Sequence, residues 1–149
     1  METIENMLIH MGFTLHPNNP DPSSHLYYDP QEESEDGLYT SYVLLVRDTF
    51  IIGSLIGVMD DRHTKEEVSE LINTMNEQSL QVRYLYDEIK EDPLLLWMID
   101  GRTMIPAFLI HEENQIRTLW DRHLNEVKEQ RKRLKNLGYL EEDFISVTK

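Results

Sequence analysis

The chain has 149 residues, no cysteine and a formal net charge of −14, which excludes disulfide bonds, thiolate catalysis and cysteine-ligated metals. Its length predicts one domain (residues 1–149) with one core, and its charge opposes contact with a phosphate backbone over most of the surface. The longest apolar run, residues 50–59, is too short to span a membrane. We therefore expect a cytoplasmic protein that contacts neither a membrane nor nucleic acid directly.

The charge is distributed unevenly along the chain. Residues 1–114 carry 22 acidic and six basic side chains, whereas seven of the fourteen Lys and Arg lie between Arg117 and Lys135. An asymmetry of this kind bears on the choice of binding partner and not on chemistry. We expect an acidic body followed by a basic C-terminal helix.

The N-terminal third begins with a helix and continues into an irregular segment. In residues 1–12 apolar side chains recur at helical intervals, and Gly12 stands where a helix commonly ends. Residues 17–36 are rich in proline, serine and acids around the short apolar segment 25–28. They predict a mobile loop with at most one short strand.

Two strands and a helix are predicted next. The segment Leu38–Met59 is dense in β-branched and aromatic residues, which predicts two strands joined by a turn at 47–49. Thr64 and Glu67 have the spacing of a capping box, in which the threonine hydroxyl accepts from a free amide at a helix start. Apolar residues then recur at helical spacing, which predicts a helix over 65–78.

The following region predicts three strands and a hairpin. Alternation over residues 82–86 indicates a half-buried strand, and residues 87–92 are expected to form an acidic loop. Asp100 and Gly101 separate two apolar runs and are typical of a tight hairpin turn. The second run, Thr103–Ile110, contains Pro106, which cannot donate a ladder hydrogen bond, so we expect an edge strand or a bulge there.

The last predicted element is a long amphipathic helix. Its apolar stripe begins at Ile116 and continues to Leu137, and Gly138 fits a helix end. Residues 139–149 are expected to form a short tail that is loose or docks through its apolar side chains. The predicted fold class is therefore α+β, an antiparallel sheet flanked by an N-terminal helix, a central helix and this long C-terminal helix.

The sequence offers weak candidates for chemistry. The six histidines form no close pair at helical spacing, and the cluster His111–Glu113 is more typical of a solvated turn than of a metal site. The segment Asp60–His63 joins a strand to a helix, where active sites often form, but no nucleophile accompanies it. We expect no cofactor, no metal and no catalytic residues, and we predict that the protein is not an enzyme.

The order of elements resembles the type III secretion chaperone-like superfamily, in particular its YbjN-like group. The resemblance rests on the opening helix that ends at 11–13, the segment Glu67–Asn76, the strands after it and the helix 116–137. It implies a dimeric α+β sandwich that binds another polypeptide by strand addition or in an apolar groove. The segment 17–36 and the basic final helix depart from the family pattern, so secretion itself is not implied.

From these observations we predict a non-enzymatic protein-binding module, a chaperone-like or regulatory adaptor, acting as a homodimer on another polypeptide. Its contacts would be the 103–110 strand and the stripe of the last helix; the predicted partner-binding residues are Met104, Phe108, Leu119, Trp120, Leu124 and Val127. The alternative is an acidic inhibitor or nucleic-acid mimic, for example one encoded by a phage, that binds a basic groove on a nucleic-acid-handling protein.

Overall fold

The computed structural model describes residues 3–17, 24–29, 41–59, 62–91 and 94–139. The strands form one six-stranded antiparallel sheet in the order β1-β2-β3-β4-β6-β5, which confirms the α+β prediction. In chain order the elements are α1 (Ile4–His10), β1 (Thr14–Leu15), β2 (Ser24–Tyr28), β3 (Ser41–Val46), β4 (Thr49–Met59), α2 (Lys65–Gln78), β5 (Arg83–Glu91), β6 (Leu94–Pro106), a 3₁₀ turn (Ala107–Leu109) and α3 (Glu113–Asn136).

The first two helices begin at side-chain caps. Thr3 Oγ1 accepts a hydrogen bond from the amide of Asn6 at 3.1 Å, and Thr64 Oγ1 accepts one from the amide of Glu67 at 3.2 Å. Each hydroxyl satisfies an amide that has no partner within its helix. Helix α2 has the predicted bounds, and Gly12, with φ +99°, ends α1 in a conformation that glycine adopts without strain.

Strands β3 and β4 form the predicted hairpin. Their register runs from Ser41 opposite Ser54 to Val46 opposite Thr49. The connecting turn is Arg47–Asp48, with Arg47 at φ 54°. Strand β2 pairs with β3, so the short strand expected within the 17–36 segment is confirmed, whereas the remainder of the mobile-loop prediction lies almost entirely outside the described residues.

Strand β6 corrects two predictions. It runs through Asp100 and Gly101 without a hairpin turn. The sheet order places β6 between β4 and β5, but β5 has nine residues and β6 thirteen, so an edge or a bulge at residues 103–106 stays a prediction. The strand ends at Pro106, and residues 107–109 are a 3₁₀ turn. Strand β5 also continues to Glu91, where an acidic loop was expected.

Close packing explains why a glycine stands at position 101. A Cβ atom there would lie 3.0 Å from Val82 Cγ1, 3.1 Å from Tyr84 Cε1 and 3.3 Å from Ile56 Cδ1. Glycine in a strand interior often marks such a close approach, as it also marks a turn. The pair Asp100-Gly101 predicted a turn although it lies within a strand, because glycine is common both in turns and where a side chain packs closely against the backbone.

The chain divides into two compact units: unit 1 is Met1–Ser54 with Arg102–Leu124, and unit 2 is Leu55–Gly101 with Asn125–Lys149. Each unit has its own cluster of buried apolar side chains. The unit 1 cluster is Met7, Leu8, Phe13, Tyr27, Val43, Leu45, Phe50, Ile52, Ile110, Ile116 and Trp120. The unit 2 cluster is Ile56, Met59, Val68, Leu71, Ile72, Met75, Val82, Tyr84, Trp97, Ile99, Val127 and Leu134. The single-domain interpretation stays a prediction.

The C-terminal helix ends as the sequence indicates. Gly138, at φ +81°, follows it, and Tyr139 packs against the unit 2 cluster. The rest of the predicted tail, residues 140–149, lies outside the described residues. Among the helices that the structure describes, none combines the length and the apolar character needed to cross a membrane.

Candidate functional site

A rigid turn follows strand β6 in unit 1. The amide of Ala107 donates to the carbonyl of Asp48 at 2.7 Å, and the amide of Ile110 donates to the carbonyl of Ala107 at 3.0 Å. Ile110 is buried in the unit 1 cluster. The 3₁₀ turn is therefore held to the β3–β4 turn at its beginning and anchored in the core at its end.

One glutamine fixes the connection from this turn to α3. Gln115 Nε2 donates to the carbonyl of Leu109 at 3.0 Å. Its Oε1 accepts from the amides of His111 at 2.6 Å and Glu112 at 2.9 Å. Three backbone groups that precede the helix are thereby satisfied, which leaves the apolar side chains of the turn on a preorganised backbone.

Large apolar side chains are exposed on this turn and at the end of the strand that leads into it. Phe108 is 72% exposed, Met104 52% and Leu109 48%. A groove of about 620 Å³ is lined by Asp48, Thr49 and the continuous segment Met104–Phe108. A second groove, of about 390 Å³, is lined by Ile105, Leu109, Ile110, Asn114, Gln115, Thr118 and Leu119. We call Met104, Ile105, Phe108, Leu109 and Leu119 the Phe108 surface; Ile105 lines both grooves.

The six predicted partner-binding residues lie in different surroundings. Met104 and Phe108 are exposed on the Phe108 surface. Trp120 is buried in the unit 1 cluster, against which Leu119 and Leu124 pack while partly exposed, and Val127 is buried in the unit 2 cluster. Within the predicted stripe, Trp120 and Val127 are therefore core residues, whereas Leu119 also lines a groove.

Unit 1 contains a buried polar cluster that was not predicted from the sequence. His123 is fully buried on α3, with Ser54 Oγ 2.7 Å from its Nε2 and Thr103 Oγ1 2.8 Å from its Nδ1. Ser41 Oγ lies 2.6 Å from Ser54 Oγ. A neutral imidazole donates through one ring nitrogen and accepts through the other, and hydroxyls serve either role. The cluster is therefore satisfied internally.

The Ser54–His123 pair has the residue types of a nucleophile and its base, but it is not accessible to a substrate. Both side chains are fully buried, and the group on the far ring nitrogen is the hydroxyl of Thr103 rather than a carboxylate. A catalytic base needs a substrate within hydrogen-bond reach. The arrangement is that of a buried structural network.

Unit 2 contains a second polar cluster, around Glu126. Ser79 Oγ lies 2.9 Å from both carboxylate oxygens of Glu126 and accepts a hydrogen bond from the amide of Val82 at 2.9 Å. The hydroxyl of Tyr84 also donates to Glu126. Burial, followed by the hydrogen bond and the negative charge of Glu126, raises the pKa of Tyr84 above its ordinary value of 10.0.

We expect this phenol to make the stability of unit 2 sensitive to alkaline pH. Because the pKa of Tyr84 is higher in the folded state, its contribution to stability is complete below pH 10 and is lost as the pH rises toward its folded-state pKa. Urea unfolding between pH 8 and pH 11 should show a steeper alkaline loss for the native chain than for Tyr84→Phe. Parallel curves would contradict the expectation.

The structure does not strengthen the other residues that were considered for catalysis or metal binding. Asp60 and Asp61 lie outside the described residues, and His63 Nδ1 is 3.4 Å from Glu67 Oε2. His10 Nδ1 lies 2.5 Å from Glu113 Oε1, at an exposed site. Within the described ranges, no group of three or more His, Asp or Glu side chains is arranged to hold a metal ion.

The fold defines a class of α+β proteins in which an antiparallel sheet is combined with an N-terminal, a central and a long C-terminal helix. The crystal structure of YbjN from E. coli, described as a proposed transcription regulator, has this fold. It matches with a TM-score of 0.63 and 13% sequence identity over 93% of this chain and 92% of that one. The resemblance is thus confirmed at the level of the fold. No family model and no curated protein matches the chain.

Proposed function

We propose that this protein is a non-enzymatic, polypeptide-binding module, chaperone-like or regulatory, whose Phe108 surface binds an apolar segment of another protein. The exposure of Phe108, Met104 and Leu109 on one short stretch of chain carries the proposal. Scattered exposed apolar residues are ordinary, but a contiguous patch between two grooves is typical of an interaction site.

The geometry of the grooves supports an extended apolar partner. The two grooves share Ile105, so an extended segment that follows both grooves places successive apolar side chains on either side of Ile105. The backbone of the turn is fixed by Asp48, Ala107 and Gln115. A preorganised surface loses less conformational entropy on binding, which favours affinity.

Two further observations support a binding role over catalysis. The buried His123 cluster offers no access to a substrate. The fold is shared with YbjN, described as a proposed transcription regulator, and a regulatory role by protein contact is consistent with that description. Strand addition at residues 103–106 is not part of the proposal, which rests on exposed apolar side chains and the two grooves that they line.

We expect Phe108→Asp to weaken binding of apolar peptides roughly thirtyfold. Burying a phenylalanine side chain contributes about 2 kcal/mol, which corresponds to that change in affinity. Binding is measured by fluorescence anisotropy with a panel of 12-residue peptides that carry Leu, Ile or Phe at two alternate positions. Matched peptides with serine at those positions serve as the polar reference.

The matched control variant is Leu80→Asp. Leu80 is fully exposed and lines neither groove of the Phe108 surface, so this variant adds the same charge and removes a similar apolar side chain. It should bind as the native chain does. Failure of every apolar peptide to bind, or equal affinities for Phe108→Asp and the native chain, would reject the proposed function.

Sedimentation of the native chain tests the predicted homodimer.

The acidic face of α2 supports the second candidate function, a nucleic-acid mimic. Glu66, Glu67, Glu70 and Glu77 are all exposed on this helix. A partner held by these charges would dissociate as salt is raised from 0.05 to 0.5 M, since exposed charges are screened over about 10 Å at 0.1 M. Binding of an apolar peptide to the Phe108 surface should change little over that range.

A further inference from the structure

A basic groove lies on the C-terminal half of α3, in unit 2. It has a volume of about 230 Å³ and is lined by Lys128, Arg131, Lys132, Lys135 and Asn136. With a helical rise of 1.5 Å per residue, the three lysines extend over about 10 Å of the helix axis. Four cationic residues are thus concentrated at one groove of a chain whose net charge is −14.

The arginine of this groove is held in place by backbone carbonyls. Arg131 Nε donates to the carbonyl of Ile56 at 3.0 Å, and its Nη2 donates to the carbonyl of Leu55. These two bonds hold the guanidinium in position at the groove. Lys128, Lys132 and Lys135 are exposed and line the same groove.

The lining indicates the class of ligand. Among the described residues it contains neither a carboxylate nor an apolar side chain, so it offers charge and hydrogen-bond donors without apolar contact. A volume of 230 Å³ is below the range of about 300 to 1,000 Å³ that is usual for drug-sized ligands. Lysine ammonium groups bind phosphate as point charges, whereas two-point recognition of a carboxylate requires the arginine fork.

We propose that this basic groove binds a compact ligand carrying several phosphate charges, independently of the Phe108 surface. The three exposed lysines supply the attraction, and Asn136 supplies an amide donor. An acidic peptide is less well matched, because its own apolar and backbone groups would find no partners in this lining.

The test is isothermal titration of the full chain with inorganic triphosphate at 50 mM salt. We expect saturable binding with one ligand per chain and affinity that falls as salt is raised. The triple variant Lys128→Gln/Lys132→Gln/Lys135→Gln should weaken binding at least tenfold. Glutamine is a good helix former, so the helix should persist, which circular dichroism checks.

A charge-matched control separates the groove from net charge. The triple variant Lys65→Gln/Arg117→Gln/Arg122→Gln removes three exposed cations outside the groove and should bind triphosphate as the native chain does. Equal loss in the two triple variants, absence of saturable binding, or preference for an oligoglutamate peptide over triphosphate would overturn the proposal. Apolar-peptide binding should be unchanged in both variants, so failure here is distinguishable from failure of the proposed function.

Discussion

The Trp120→Asp variant should lose the cooperative unfolding transition of unit 1. Trp120 is 6% exposed, and its ring meets that of Phe13 edge-to-face at a centroid distance of 4.9 Å. Truncating a buried tryptophan costs about 3 to 5 kcal/mol, and a carboxylate placed among apolar side chains adds a desolvation penalty. The sum is comparable with a typical domain stability of about 5 to 15 kcal/mol.

The measurement is urea unfolding followed by near- and far-ultraviolet circular dichroism. Phe108→Asp is the matched control, because it places the same charge on an aromatic position that is 72% exposed, and it should keep its native transition. If Trp120→Asp stays folded and loses only partner binding, the core assignment of Trp120 is wrong. The stripe at residues 119–127 would then be a contact surface, as predicted from the sequence.

Local rules were sufficient for the helices and for the first hairpin. Helix α2 has the predicted bounds because its cap, Thr64, and its apolar spacing are encoded within a few residues of one another. Gly12 and Gly138 mark the ends of α1 and α3 for the same reason, since a positive φ is a local property of glycine. Signals that act over three or four residues can be read from one sequence.

Features that depend on distant residues could not be predicted. The role of Gly101 is set by Val82, Tyr84 and Ile56, and no local pattern distinguishes a glycine under a packed neighbour from a glycine in a turn. The position of β6 between β4 and β5 is likewise a property of the sheet order. The sequence therefore predicted a hairpin turn at Asp100 and Gly101, where the structure has a continuous strand.

The Phe108 surface was predicted in part. Met104 and Phe108 were placed at a contact surface, and both are exposed. Leu109 and Ile105 were not, because an assumed strand over 103–110 assigns alternate residues to opposite faces, whereas a 3₁₀ turn after Pro106 exposes Phe108 and Leu109 together. Proline followed by a short apolar run was the available signal for this turn.

The variant His123→Leu tests the buried polar cluster of unit 1, which was not predicted from the sequence. It should lower the free energy of unfolding by about 1 to 3 kcal/mol, because the buried hydroxyl of Thr103 loses its partner, whereas the hydroxyl of Ser54 keeps its contact with Ser41. Urea unfolding measures the loss.

A double-mutant cycle with Thr103→Val decides whether the loss arises from the hydrogen bond or from packing. Valine has nearly the shape of threonine without the hydroxyl, so adding Thr103→Val to His123→Leu removes the stranded polar group. We expect the double variant to be less destabilised than the sum of the single variants by about 1 to 3 kcal/mol. Additive losses, within about 0.5 kcal/mol, would mean that the 2.8 Å contact between Thr103 and His123 contributes nothing specific. Coupling of the expected size would show that strands and helix of unit 1 are aligned by a polar network, which explains why a histidine occupies an otherwise apolar stripe of α3.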